Sequence, residues 1–278
     1  MSQAKEPLSG SPTALVTGGA SGIGRALALA LADSGVMVVV ADRQIDLAER
    51  VVAEITARGG RAQLAALDVR DRERFAAVVK SIVESFGRID FLFNNAGIGV
   101  LGQASHYRDT DWSDVLDVNL AGVCNGIAAA YPLMVQQRFG HIVNIASMAG
   151  LIPVPLVASY TASKFAVVGL SRALRIEAAA HGVRVTVVCP LIVNTPILTG
   201  GRYGRHNDDV SALSRRRAAM HAMAVTPEGL ARRVLKDVAR NRAVVVYPRW
   251  ARLLWYFDRL SPWLTERLTS VLMARLLR

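Results

Sequence analysis

The chain has 278 residues, 52% of them apolar, which allows one substantial core or two smaller ones; a single α/β domain is the simpler reading. Its net charge of +11 is uneven: residues 1–201 hold 17 Lys/Arg against 16 Asp/Glu, and residues 202–278 hold 16 against 6, so +10 falls in the last 77 residues. Residues 1–12 have no apolar h-region and read as a disordered leader, not a secretory signal. No stretch approaches about 18 uninterrupted apolar residues, which argues against a membrane span. Cys124 and Cys189, both in apolar surroundings, read as buried free thiols of a reducing, cytoplasmic compartment.

In chain order, apolar runs of strand length fall at Ala14 to Thr17, Val36 to Ala41, Ala62 to Leu67, Ile89 to Phe93, His141 to Ala146, Val183 to Cys189 and Ala243 to Val246. Helical stretches lie between them. Gly22 to Ser34 carries Ile23, Leu27, Ala30 and Leu31 on one face, and Asp71 to Phe86 carries Phe75, Val78, Val79, Ile82 and Val83. Thr226-Pro227-Glu228 supplies a cap and a proline at the first helical position, so a helix is predicted from Pro227 to about Arg240. Strands this continuously apolar are buried on both sides. The expected architecture is α/β, a Rossmann-like doubly wound seven-stranded parallel sheet with helices on both faces, plus a C-terminal helical extension. Residues 13–248 are read as the α/β body and 249–278 as the tail.

The first strand runs into Gly18-Gly19-Ala20-Ser21-Gly22-Ile23-Gly24 and then a helix. This order places free backbone N–H groups and a helix N-terminus where a pyrophosphate would sit. The spacing Gly-x-x-x-Gly-x-Gly differs from the commoner Gly-x-Gly-x-x-Gly. Asp42 stands 18 positions after Gly24, near the place of an acidic residue that accepts hydrogen bonds from a ribose. Its carboxylate would repel a 2′-phosphate and so favours NAD over NADP, whereas Arg43 beside it could pair with that phosphate. Tyr160 and Lys164 share one helix face, and Ser147 precedes Tyr160 by 13 positions. A phenol is a poor base at neutral pH until a neighbouring ammonium stabilises the phenolate.

In order and spacing, Thr17 to Gly24, Asn94-Asn95-Ala96-Gly97, Asn119, Ser147 and Tyr160-Thr161-Ala162-Ser163-Lys164 resemble the short-chain dehydrogenase/reductase family, roughly from Thr13 to Pro248. The resemblance implies hydride transfer between a nicotinamide cofactor and a secondary alcohol or its ketone. Tyr160 would be the general acid/base, Lys164 its tuning charge and a ligand of the nicotinamide ribose, and Ser147 a donor to the substrate oxygen. Asn119 would hold a water that relays protons from the lysine; taken alone, it reads equally well as a polar residue inside a helix. The cofactor contacts implied are Gly18, Ser21, Gly22, Ile23, Gly24, Asp42, Arg43, the adenine-contacting pair Asp68 and Val69, then Asn95, Ala96, Gly97, Tyr160, Lys164, Val193 and Thr195, with no metal. Ser21 stands where relatives using NADP often carry Lys or Arg, which supports NAD. Leu191 replaces a glycine common in the family and is expected to alter the turn or the cofactor's edge. Relatives form dimers or tetramers through helices corresponding to Asp111 to Arg138 and Ser159 to His181, so a homodimer or homotetramer is implied.

Residues 194–225 are expected to form a substrate lid, with Gly200-Gly201 as hinge. Arg202, Arg205 and Arg215-Arg216-Arg217 there are read as a solvated face or as a clamp on an acidic substrate. In the tail, Trp250, Leu253, Leu254, Phe257 and Leu260 recur at helical spacing; Ser261-Pro262 interrupts, and Leu264, Leu268, Val271, Leu272 and Leu276 continue. With three tryptophans and six arginines, the tail suits peripheral contact with a membrane surface; packing on the body or on a sister subunit fits as well. Lipid contact would make a hydrophobic alcohol or ketone the natural substrate. The competing function is a non-catalytic dinucleotide-binding sensor or membrane-associated scaffold. Nucleic-acid binding is not expected, since no recognised motif is present.

Overall fold

The computed structural model describes residues 10–198, 201–206 and 224–276, with side chains described through residue 271. The proposed leader therefore lies mostly outside the described residues, as do Gly200 and Arg215 to Arg217. All seven expected strands are present: β1 (Thr13–Thr17), β2 (Met37–Asp42), β3 (Ala62–Ala66), β4 (Phe91–Asn94), β6 (Gly140–Ile145), β7 (Val183–Pro190) and β9 (Val244–Tyr247). They form one parallel sheet in the order β3-β2-β1-β4-β6-β7-β9. Unforeseen from the sequence is a second, two-stranded parallel ribbon of β5 (Gly99–Leu101) and β8 (Gly204–His206).

The strands are apolar throughout because each serves two cores. Ala14 and Val16 of β1, with Val38 and Val40 of β2, face a cluster built with Leu27 and Leu31 of α1 (Gly22–Asp33), Val51 and Ile55 of α2 (Ile45–Ala57), and Leu230 and Val234 of α7 (Pro227–Ala239). The alternate residues Leu15 and Val39 face Phe75, Val78 and Ile82 of α3 (Arg72–Phe86), Met134 of α5 (Gly122–Gln137) and Leu174 of α6 (Ala158–Ala179). Period two along the strand thus covers both faces. Local signals fix the helix ends: Asp71 accepts from the Arg74 N–H (2.8 Å) at the start of α3, and Thr226 from the Gly229 N–H (3.1 Å) at the start of α7.

Helix α4 (Asp109–Leu116) continues through a π-helical turn, Asp117–Ala121, into α5. By length and apolar composition alone the stretch Asp109–Gln137 could cross a membrane, a point the uninterrupted-run criterion missed. It packs on the sheet and α3 instead, with Val123, Gly126, Ala130 and Met134 buried. The same periodicity corrects the cysteine expectation: Cys189 is buried in β7, but Cys124 follows an inward-facing valine on α5 and is exposed. The tail forms α8 (Arg252–Leu260) and α9 (Pro262–Leu276), divided at Ser261.

Candidate active site

The strand order reverses between β1 and β4, and a crevice opens there at the carboxyl ends of the strands. Thr17 ends β1 and latches the two sides together. Its hydroxyl donates to the Phe93 carbonyl (3.2 Å) and accepts from the N–H groups of Asn95 (3.0 Å) and Ala96 (3.2 Å). The Asn95 amide in turn donates to the carbonyls of Thr17 (2.9 Å) and Gly18 (3.1 Å). Asn95 therefore shapes the glycine turn from behind. Gly18 has φ +63°, and a Cβ on Gly24 would stand 2.0 Å from the Gly18 carbonyl oxygen, so both positions need glycine. Ser21 caps α1 without a side-chain hydrogen bond, and no acidic residue occupies the first turn. The N-terminal N–H groups of a helix have no intrahelical partner, and these face the crevice with no carboxylate opposing an anion.

Asp42 ends β2, is 7% exposed, and accepts through its carboxylate from the N–H groups of Ala20 (3.0 Å) and Gln44 (2.9 Å). It ties the glycine turn to the second strand and still lines the crevice. Arg43 donates to the Arg202 carbonyl (2.9 Å), and Gln44 to the Tyr203 hydroxyl (3.3 Å), so the segment before β8 crosses to this corner. Asp68 is held by Arg70, whose guanidinium pulls its carboxyl below the usual range despite partial burial. Val69 lines the cavity beside it.

Ser147, Tyr160 and Lys164 meet at the far end of the same 510 Å³ cavity. Ser147 follows β6; Tyr160 and Lys164 project from the first turns of α6. The Lys164 Nζ is buried, donates to the Ile145 carbonyl (2.9 Å) and lies 5.4 Å from the centre of the Tyr160 ring. Burial pulls the Lys164 ammonium down to about 8. For Tyr160 the result departs from the sequence expectation. Burial pushes the phenol up, and the nearby Ser147 hydroxyl pulls it back. The lysine lies over the ring face with its nitrogen turned to the β6 carbonyl.

Asn119 sits in the π-helical turn, fully buried. Its amide donates to the Ile98 carbonyl (2.9 Å) and Ser163 hydroxyl (3.1 Å) and accepts from the Ile98 N–H (2.9 Å). These bonds make it a brace between the segment after β4 and α6. A Cβ on Gly97 would lie 3.3 Å from Asn119 Oδ1 and 3.6 Å from Lys164 Nζ, so both groups border the backbone at Gly97.

Across the crevice, the Thr195 methyl would lie 3.0 Å from a Cβ on Gly22, so Thr195 covers the glycine turn. Val193 is mostly core: it bridges to Val225 and joins the α1 side of the sheet. Leu191 keeps a backbone bond to Tyr247 (2.8 Å) and packs on a third cluster containing Met148, Val246 and Trp255. The residue that replaces glycine thus packs on the body and also lines the cavity. Arg205 pairs with the buried Asp111 and donates to Thr110 (3.0 Å), placing it in neither of the expected roles. The bonds made by Thr17 and Arg205 could not be read from the sequence because their partners are distant along the chain.

These residues fit a dinucleotide: an anion-accepting glycine turn, the Asp42 carboxylate at one end, and at the other a buried ammonium whose one identified bond leaves N–H groups for a second partner. The cavity is also walled by Val100, Met148, Ile152, Val154, Ile197 and Leu198, with Tyr203 and His206 as polar members.

The family model for short chain dehydrogenase matches residues 12–204. A Mycobacterium tuberculosis protein, SadH, named as an oxidoreductase, is 34% identical over 266 residues, covering 94% of this chain and 95% of its own. A cyclohexanol dehydrogenase of Acinetobacter is 39% identical over 186 residues, 66% of this chain and 74% of its own. A short-chain dehydrogenase/reductase of Burkholderia phymatum, solved with NAD, superposes with a TM-score of 0.83 at 28% identity, over 93% of this chain and 96% of its own. The chain belongs to the short-chain dehydrogenase/reductase family of nicotinamide-dependent oxidoreductases.

Proposed function

We propose that the protein interconverts a lipophilic secondary alcohol and its ketone with NAD as cofactor. The observation that carries this reading is a single cavity in which Ser147, Tyr160 and Lys164 adjoin an apolar end. Bound in this cavity, the nicotinamide supplies the acceptor or donor of hydride. Tyr160 gives the matching proton to the carbonyl oxygen in reduction and takes it from the alcohol in oxidation. With its phenol pushed up by burial, Tyr160 stands protonated at neutral pH, ready to donate. Ser147 donates to the same substrate oxygen and stabilises its developing charge. Below about pH 8 the Lys164 ammonium supplies positive charge beside the phenol and a donor toward a ribose hydroxyl. Asn119 and Asn95 position this machinery through the backbone. Asp42 supports the preference for NAD, because its carboxylate would oppose a 2′-phosphate. The apolar wall favours an uncharged, lipophilic substrate, and the likeness to a cyclohexanol dehydrogenase supports the reaction class.

A panel of lipophilic alcohols and ketones, read at the nicotinamide absorbance with NAD(H) and NADP(H), tests the reading. Turnover favouring NAD is expected, and Tyr160→Phe should lower it by about 10²–10⁴ while leaving cofactor binding intact. Wild-type rates in Tyr160→Phe would remove the phenol from the chemistry. Cofactor binding without turnover on any substrate would support the sensor instead.

A further inference from the structure

The tail reverses the usual arrangement of a surface helix. In α8 the residues turned toward the body are Arg252, Trp255 and Asp258. Trp255 packs on the third cluster, Arg252 donates to the Val244 carbonyl (3.2 Å), and Ala251 just before them is fully buried. The opposite face carries Leu253, Tyr256, Phe257 and Leu260, a stripe at i, i+3, i+4 and i+7 whose members are 69%, 51%, 39% and 86% exposed. Trp250 extends this ridge at one end, and Trp263 of α9 follows at the other, 65% exposed. A surface helix normally turns such a stripe inward. An outward ridge of this extent marks an interaction surface.

Charge selects the occupant. Residues 249–278 carry six arginines against Asp258 and Glu266, and residues 202–278 carry +10 of the chain's +11. A second copy would bring one strongly positive surface against another. An anionic lipid surface offers negative headgroups above an apolar layer, matching both properties of the ridge. Arg267 lies 5.3 Å from the ring centre of the exposed Trp263, so a guanidinium and an indole stand together where headgroup and hydrocarbon would meet.

We infer that α8 and the start of α9 dock this protein on an anionic membrane surface, with the stripe Leu253, Tyr256, Phe257 and Leu260 entering the headgroup boundary. The helices lie on the bilayer and do not span it. Trp255, the inward anchor, packs against the same apolar cluster as Leu191, and that cluster includes Met148, which with Leu191 lines the cavity.

Sedimentation of the full chain with phosphatidylcholine vesicles, with and without phosphatidylserine, tests this. Binding should rise by about tenfold or more with phosphatidylserine and fall with added salt. The triple variant Leu253→Glu, Phe257→Glu, Leu260→Glu should lose about tenfold or more in vesicle binding. All three side chains are exposed, so its unfolding midpoint and its turnover of a water-miscible alcohol should stay at wild-type values. Arg259→Gln with Arg267→Gln should weaken only the phosphatidylserine-dependent part. Unchanged sedimentation of the triple variant, or indifference to phosphatidylserine, overturns the inference. So does a concentration-dependent rise in mass that the triple variant abolishes and lipid does not affect, which would assign the ridge to a second copy. Vesicle binding needs no turnover, so this test can fail while the proposed reaction stands.

Discussion

Replacing Lys164 by methionine should abolish turnover and at the same time stabilise the fold. The ammonium is buried, and its titration lies at about 8 in place of 10.5. That difference corresponds to a folding penalty of about 3 kcal/mol. Because the folded-state value is lower than the unfolded one, the penalty is full below about pH 8 and vanishes as pH rises through 10.5. Methionine fills similar volume without charge but leaves the Ile145 carbonyl without its donor, a loss of about 1–2 kcal/mol. The expected net gain is therefore about 1–2 kcal/mol at pH 7. It should shrink between pH 8 and 10.5 and change sign at the alkaline end, since the carbonyl loss does not titrate. Urea unfolding of both proteins at pH 7, 9 and 10.5 measures this, and taking the difference between them cancels the alkaline titration of other groups common to both. A variant less stable than wild type at pH 7, or a difference that does not vary with pH, would refute the argument that burial of this charge is what the site imposes on the fold.

Two further substitutions test the frame of the site. Gly24→Ala should open the glycine turn, since its Cβ would stand 2.0 Å from the Gly18 carbonyl oxygen; a loss of about 4 kcal/mol or more is expected in unfolding, with cofactor binding undetectable, and a near-native Tm would contradict the packing described. His141 is buried, bonded to the Thr186 hydroxyl (2.8 Å), and pulled down to about 4 by burial and by the charges of Arg184 and Arg175. Its folded value is below its unfolded one, so stability present above about pH 6.5 is lost as pH falls toward 4, by about 3 kcal/mol. His141→Gln should lose less over that window in urea titrations, and parallel curves for the two proteins would exclude the histidine as the cause.

The legible parts of this protein are those in which neighbours along the chain decide the outcome. Continuous apolar runs announced seven strands because a parallel strand buries both faces, and their order alternating with helices announced the doubly wound sheet. The glycine turn was legible because a strand, a tight turn and a helix N-terminus are consecutive. Ser147, Tyr160 and Lys164 were found as residue types at intervals that matched a family.

What tertiary structure alone decided is where each polar group spends its bonds and which way each apolar face turns. Asn119 braces Ile98 and Ser163, Thr17 latches β1 to the segment after β4, and Lys164 bonds to Ile145. Each of those partners is remote in sequence, so no local pattern encodes the choice. The ribbon of β5 and β8 joins two three-residue segments about a hundred positions apart, too short to announce themselves by period. In α8 the helical stripe was evident from spacing, but spacing is indifferent to direction. Only the seating of Trp255 on the body determined that the stripe faces outward.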